Sequence, residues 1–122
     1  MRVLRIVDDQ VSSPTWARTL AEATAQIIAQ GRNEPVGFIK GKTGLFHLSG
    51  GGSCSRFDWA KKTLYLISKE SIQLERASST EFTMLVQRPH YSVLDCEKVI
   101  RSFMFQLPDW KSSLELMMAT DA

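Results

Sequence analysis

A run of three glycines and the basic side chains around it are the residues of this chain best suited to bind an anion. Gly50, Gly51 and Gly52 are consecutive, and backbone without β-carbons can bring successive N–H groups close to a phosphate or carboxylate. Residues 40–69 around them carry six basic side chains and one acidic side chain. We therefore predict an anion-facing ligand surface in this part of the chain. Its predicted binding residues are Lys40, Lys42, His47, Gly50, Gly51, Gly52, Arg56, Trp59, Lys61 and Lys62.

Segment 56–62 places aromatic rings between cations, in the order RFDWAKK. Proteins that bind single-stranded nucleic acid stack bases on aromatic side chains and contact phosphates with lysine and arginine. One hypothesis is therefore a single-stranded nucleic-acid binder that uses this segment. The alternative is that Phe57 and Trp59 pack against the domain while the charged side chains stay in water.

Cys54 is the candidate nucleophile, because it follows the glycines and lies close to Arg56 in the sequence. A loop position and a nearby cation would lower the pKa of the thiol, and His47 or His90 could act as the base. No family signature surrounds Cys54, however. A small enzyme with a Cys54 nucleophile is therefore kept as a second alternative.

Phosphate-loop, dinucleotide and metal motifs are not found. Gly41-Lys42-Thr43 has part of a phosphate loop, but the residue five positions earlier is Val36 instead of glycine. The histidine and cysteine spacings match no structural zinc module, the four residues being His47, Cys54, His90 and Cys96. We assign no cofactor and no metal on this basis.

Size and composition predict one domain over residues 1–122. The chain is 43% hydrophobic and carries 15 basic against 13 acidic side chains, which excludes disordered and fibrous classes. No apolar run approaches the roughly 20 residues that span a bilayer. Charges soon after Met1 interrupt any signal-peptide core, so we expect a cytoplasmic protein that starts at Met1 and keeps its two cysteines reduced.

Apolar residues recur at helical spacing near both ends of the chain. The first helix is predicted from Pro14 to Gln30, with Ser13 as its N-cap and Gly31 in the left-handed conformation after it. Two further helices are predicted after residue 92, the second one capped by Asp109. These C-terminal helices carry more apolar side chains than one face needs, which leaves a monomer and a homodimer both open.

Between the helices the pattern favours short strands. A first strand is expected at 2–7, and five more at 36–40, 45–48, 63–68, 72–76 and 82–87. Brief polar connections between such runs favour antiparallel neighbours. The predicted fold class is therefore α+β, with an antiparallel meander of five to six strands and the N-terminal and two C-terminal helices packed on one face.

These observations favour a small non-catalytic binding or interaction module of unknown specific function. The hypothesis depends on the lack of a convincing reactive constellation, which argues against an enzyme. Its partner would be a small-molecule ligand or another protein, with nucleic acid as the alternative and no membrane.

Overall fold

The structure, a computed structural model that describes residues 2–69 and 71–120, contains a two-stranded parallel sheet. The strands are β1 (Arg2–Val7), β2 (Val11–Ser12), β3 (Cys54–Ser55) and β4 (Ile72–Ala77). The helices are α1 (Ala17–Gln30), α2 (Pro35–Lys40), α3 (Arg56–Leu66), α4 (Glu97–Phe103) and α5 (Trp110–Thr120). β1 pairs with β4 in parallel, whereas β2 pairs with β3 in antiparallel.

The parallel pairing of β1 and β4 brings together two distant segments of the chain. Their register runs from Arg2 opposite Ile72 to Val7 opposite Ala77. Parallel neighbours need a long crossover connection, and here that connection includes α1, α2 and α3. As a result, both strands end at the same edge of the sheet.

The core lies mainly between α3, α5 and the short strand β3. Cys54, Trp110 and Leu114 form its buried cluster, and Leu66 and Met117 pack against them. Burying large apolar side chains of this kind contributes about 1.5–3 kcal/mol each. This packing places the end of the glycine segment beside the start of α5.

The predicted antiparallel meander is wrong. Residues 36–40 lie in α2, where Pro35 occupies the first turn and the Glu34 carboxylate accepts a hydrogen bond from Gly37 N at 3.2 Å. Residues 63–66 lie in α3, whose start is capped by Ser55 Oγ accepting from Asp58 N at 3.1 Å. Segments 45–48 and 82–87 form neither helix nor strand. Helix caps therefore determined that residues 36–40 and 63–66 are helical, because the hydrophobic period of such a short apolar segment is ambiguous.

Several of the predicted strands and helices are present in the structure, although they begin or end at other residues than predicted. Residues 2–7 and 72–76 are strands, and helices follow near both predicted C-terminal positions. Asp109 caps α5 by accepting from Lys111 N at 2.7 Å.

Among the described residues, no helix is both long enough and apolar enough to cross a membrane.

The first helix begins three residues later than predicted, because the predicted N-cap has another partner. Ser13 Oγ donates to the Gly52 carbonyl at 2.7 Å, which ties the glycine segment to the start of the helix region. Gly31 has a φ of −95°, so its predicted left-handed conformation is also wrong. A β-carbon at this position would lie 2.5 Å from the Phe38 ring, so close packing against Phe38 explains why the residue is a glycine.

Candidate functional site

The carboxyl ends of β1 and β4 form a polar edge of the sheet. β1 is followed by Asp8, Asp9 and Gln10, and β4 is followed by Ser78 and Ser79. Ligands of open parallel sheets bind outside the carboxyl ends of the strands. A cavity of about 230 Å³ opens at this edge, and we name it the strand-edge cavity. It is lined by Gln10, Ser79, Thr80, Phe82, Met84, Val86, Gln87, Arg88 and His90.

The Asp9 carboxylate holds the two strand ends together. It accepts hydrogen bonds from Ser79 N at 3.1 Å, from Ser79 Oγ at 2.8 Å and from Ser78 Oγ at 3.2 Å. These bonds, those from Ser79 first, lower the pKa of Asp9 below its ordinary value. Asp9 is therefore an anion held by neutral donors, and it fixes the rim of the cavity.

His90 is positioned by the same short segment of backbone. Its Nδ1 lies 2.8 Å from the Asp9 carbonyl oxygen and 3.8 Å from Asp9 Oδ2. The His90 carbonyl accepts from Val11 N at 2.8 Å, so the segment is also held through its main chain. A proton on Nδ1 leaves Nε2 to accept a hydrogen bond, or to donate one when the ring is charged.

Two polar side chains of this cavity lack protein partners. Gln10 is only 8% exposed, yet among residues 2–69 and 71–120 nothing hydrogen-bonds its side-chain amide. Arg88 is exposed, and within the same described ranges no carboxylate lies at ion-pair distance from it. No fully buried side-chain nitrogen or oxygen of the described residues lacks a partner, so the Gln10 amide is open to the cavity and can hydrogen-bond a ligand there. Arg88 could bind a phosphate through two parallel hydrogen bonds.

The Arg76 guanidinium, by contrast, is engaged in contacts within the protein. Its Nη1 lies 2.7 Å from Asp8 Oδ1, and its guanidinium lies 4.1 Å from the centre of the Phe57 ring. The hydrogen bond from Arg76 lowers the pKa of Asp8.

In the part of the chain that the structure describes, no three metal-ligating side chains gather into a group.

The three consecutive glycines, which we name the glycine loop, make most of their contacts within the protein. Gly50 N donates to Thr15 Oγ1 at 2.9 Å, and Gly51 N donates to the Pro108 carbonyl at 2.9 Å. These two N–H groups are therefore engaged within the protein and do not form the candidate anion-binding nest in this structure. The absence of side chains here lets the loop pack closely against the backbone before α1 and α5.

The predicted binding residues do not form one surface. Gly52, Lys61 and Lys62 line a cavity of about 540 Å³ beside Cys54 and Trp110. Trp59 lines a separate cleft, and Lys42 lines a third cavity, with its Nζ 5.4 Å from the Phe38 ring centre. Three more predicted residues are exposed outside these groups, namely Lys40, His47 and Arg56. Ligand binding by these residues stays a prediction.

Cys54 lacks the environment of a nucleophile. The residue is buried, and burial, followed by the nearby Asp58 carboxylate, raises the pKa of its thiol to about 11. A thiol with that pKa is almost entirely protonated at neutral pH, whereas reactive cysteines have lowered pKa values. Cys54 and Cys96 are both free cysteines. The hypothesis of a Cys54 enzyme is therefore wrong.

The aromatic and basic segment also lacks the geometry of a stacking surface. Phe57 is buried under the Arg76 guanidinium, and Lys62 Nζ is paired with Glu115 Oε1 at 2.6 Å. Only Trp59 presents a partly exposed ring, at 39%. One ring cannot form the row of stacking positions that single strands use.

Comparison with known proteins identifies the family. Residues 1–122 match the family model of the RmlD substrate binding domain. The chain belongs to this family. It is 31% identical over 120 residues to the dTDP-4-dehydrorhamnose reductase of Escherichia coli K12, covering 94% of this chain and 38% of that protein. It is also 30% identical over 110 residues to that of Mycolicibacterium smegmatis, covering 90% of this chain and 31% of that protein.

Solved structures of the same reductases share the fold of this RmlD substrate binding domain. The structure from Bacillus anthracis, in complex with NADP, matches with a TM-score of 0.81 and 25% identity over 100% of this chain and 39% of that one. The structure from Clostridium acetobutylicum matches with a TM-score of 0.79 and 26% identity over 97% of this chain and 38% of that one. The chain thus spans about two fifths of the length of these two structures.

These findings correct both the predicted fold class and the predicted functions. The neighbours are Rossmann-like reductase domains, which overturns the antiparallel meander. Their family and relatives are named for a reductase, which overturns the non-catalytic binding module of unknown function. The single-stranded nucleic-acid binder has no support among them and is wrong as well.

Sequence reasoning missed Gln10, Ser79 and Arg88, and it considered His90 only as a base for Cys54 or as a metal ligand. The usable signal was that the two strands predicted at 2–7 and 72–76 are each followed by a short polar group. Only a parallel pairing brings those groups together, and the expected antiparallel meander would have separated them.

Proposed function

We propose that this chain is the substrate-binding part of an NADP-dependent reductase that acts on the 4-keto group of a dTDP-linked deoxysugar. The family match and the names of the relatives support this proposal. The observation that carries it is the strand-edge cavity, where the Gln10 amide and the Arg88 guanidinium have no protein partner among the described residues.

Each group in the cavity has a role suited to such a substrate. Arg88 binds the diphosphate, because a guanidinium can donate two parallel hydrogen bonds to phosphate oxygens. Gln10 uses its amide to orient a carbonyl or hydroxyl of the ligand. Phe82, Met84 and Val86 line the cavity with apolar surface that suits a base or a sugar ring.

The described residues do not fit a dinucleotide such as NADP. A dinucleotide site requires a glycine-rich turn directly between a strand and a helix. Here β1 is followed by Asp8 and Asp9, and β4 by Ser78 and Ser79. The N–H groups of Gly50 and Gly51 donate within the protein. We therefore place NADP on another region of the reductase and assign only the sugar nucleotide to this chain.

Titration calorimetry with dTDP tests the proposal directly. We expect the chain to bind dTDP, and Arg88→Ala to weaken binding about 10- to 100-fold, since hydrogen bonds to charged groups contribute about 1.5–3 kcal/mol. Arg101→Ala is the matched control, because Arg101 is an exposed arginine on α4 that pairs with Glu97. No dTDP binding, or equal affinities for the two variants, would contradict the proposed function.

The basic surface predicted from sequence is tested in the same titration. Lys61 and Lys62 line the larger cavity with Gly52, and that cavity shares no lining residue with the strand-edge cavity. If the predicted surface holds the diphosphate instead, Lys61→Ala weakens dTDP binding and Arg88→Ala does not. The proposed function gives the opposite result.

A further inference from the structure

All three tryptophans of the chain meet at one cleft. Trp16 lies just before α1, Trp59 lies on α3, and Trp110 begins α5. Together they line a cleft of about 180 Å³. The cleft shares no lining residue with the strand-edge cavity, so it is a separate site.

The indole rings line this cleft without stacking on one another. The aromatic ring pairs found among the described residues join phenylalanines, and none joins two tryptophans. Trp59 is 39% exposed, although a ring of this size usually gains by burial. Arg18 lies 5.6 Å from the centre of the Trp16 ring and Lys111 lies 5.6 Å from that of Trp110, so the partly exposed Trp59 indole is the ring that offers its face to a guest ring.

A hydroxyl that lines the cleft makes no hydrogen bond to the described protein residues. Ser113 is 4% exposed and lines the cleft, yet its Oγ makes no hydrogen bond within residues 2–69 and 71–120. The other hydroxyl of the cleft is engaged, since Thr15 Oγ1 donates to the Ser13 carbonyl at 2.9 Å and accepts from Gly50 N. No fully buried side-chain oxygen or nitrogen of the described residues lacks a partner, so the Ser113 Oγ keeps access to the cleft and can hydrogen-bond a polar group of the guest.

Charge and size narrow the class of guest. No lining residue of the cleft is charged, and a charge buried there without a partner would be strongly unfavourable. A cavity of about 150 Å³ can hold benzene, so this cleft has room for one six-membered ring. We propose that it binds a neutral six-membered ring with at least one hydroxyl group, the ring lying on the Trp59 indole face and the hydroxyl bonding Ser113 Oγ.

The indole N–H signals in a proton–nitrogen NMR spectrum test this proposal, because the chain has only three of them. The probes are phenol and methyl glucopyranoside, which share the hydroxylated six-membered ring, and glycerol is the acyclic control. We expect one or both ring probes, but not glycerol, to shift the Trp59 and Trp110 signals in a saturable way. A shift with phenol alone assigns an aromatic ring, and a shift with the glucoside alone assigns a pyranose. Unchanged indole signals with both probes would overturn the proposal.

Two variants with matched controls separate the site from general surface effects. Ser113→Ala should weaken the bound probe roughly 2- to 10-fold, whereas Ser112→Ala, at an exposed position of the same helix, should not. Trp59→Ala should weaken it about 5-fold or more, whereas Tyr65→Ala on the same helix should not. Trp59 is partly exposed, so this variant keeps the buried core. Unchanged affinity in both Ser113→Ala and Trp59→Ala would also overturn the proposal.

Discussion

The strand-edge cavity and the glycine loop contain similar kinds of groups but use them in opposite ways. In the glycine loop, Gly50 N, Gly51 N and the Gly52 carbonyl are all hydrogen-bonded within the protein. In the strand-edge cavity, Gln10 is 8% exposed and its amide finds no protein partner among the described residues. Residue types alone can suggest a binding site, whereas groups left without a protein partner indicate where a ligand can bind.

We therefore expect the glycine loop to contribute mainly to stability, while the proposed function assigns ligand binding to the strand-edge cavity. This contrast is physical, because a group that already has a protein partner must lose it before a ligand can gain it. It follows that substitutions in the loop should lower the free energy of unfolding. Substitutions of unpaired groups in the cavity should instead lower ligand affinity.

Gly50→Ala should have the largest effect. A β-carbon at Gly50 would meet the Pro14 carbonyl oxygen at less than 3.0 Å, and backbone cannot move as easily as a side-chain end. Overpacking of this kind costs about 3 kcal/mol, measured as the free energy of unfolding in urea. Gly41→Ala is the control, since a β-carbon there has no neighbour within 4 Å. Equal losses in the two variants would remove the close-packing explanation of the loop.

Asp9→Asn should have the next largest effect, and that effect should depend on pH. The pKa of Asp9 is lowered in the folded state by its bonds to Ser79. Its contribution to stability is therefore present above the ordinary value of 3.8 and is lost as pH falls through the lowered folded-state pKa. An asparagine NH₂ would meet the Ser79 donors instead of accepting from them.

Thermal unfolding of Asp9→Asn and wild type across pH measures this dependence. We expect a lower Tm for the variant at neutral pH and a difference that shrinks below pH 3.8. Glu22→Gln, at an exposed carboxylate paired with Arg18, is the control and should change Tm little. A Tm difference that stays constant from neutral to acid pH would show that charge is not the cause.

Gln10→Leu and Ser13→Ala form a matched pair across the two regions. Ser13→Ala removes the 2.7 Å hydrogen bond to the Gly52 carbonyl, and it should cost about 1 kcal/mol of unfolding free energy without changing dTDP affinity. Gln10→Leu removes an unpaired amide, so stability should stay the same or rise while dTDP affinity falls up to about 10-fold. If Gln10→Leu instead lowers stability and leaves affinity unchanged, the comparison fails.

The sequence allowed part of the fold to be predicted, and the reason for each success is local. The strand at 2–7 and the Asp109 cap depend on neighbouring residues only. Segment 36–40 was misassigned, although Glu34 and Pro35 are typical of a helix start. Its short apolar run matched a strand equally well, and the Glu34 cap with Pro35 in the first turn decided the outcome.

The candidate site was harder to predict, because it depends on a pairing between distant residues. Asp9 and Ser79 are hydrogen-bonded across 70 positions of sequence. Nothing in either segment specifies a parallel partner, and the direction of pairing determines which strand ends meet. Arg88 and Gln10 were visible as residue types, but their lack of protein partners could only be observed in the folded structure.

Glu115→Gln should have the smallest effect, and it tests whether Lys62, one of the predicted binding residues, is held in the packing of α3 on α5 or is free to bind an anion. Lys62 Nζ lies 2.6 Å from Glu115 Oε1, with side chains 25% and 51% exposed. Exposed ion pairs contribute about 0–1 kcal/mol, so a double-mutant cycle with Lys62→Met should give a coupling energy below about 1 kcal/mol. A weak coupling means that Lys62 can leave Glu115 at little cost, which keeps the predicted surface open to an anion. A larger coupling would assign Lys62, like the glycine loop, to the packing of α3 on α5.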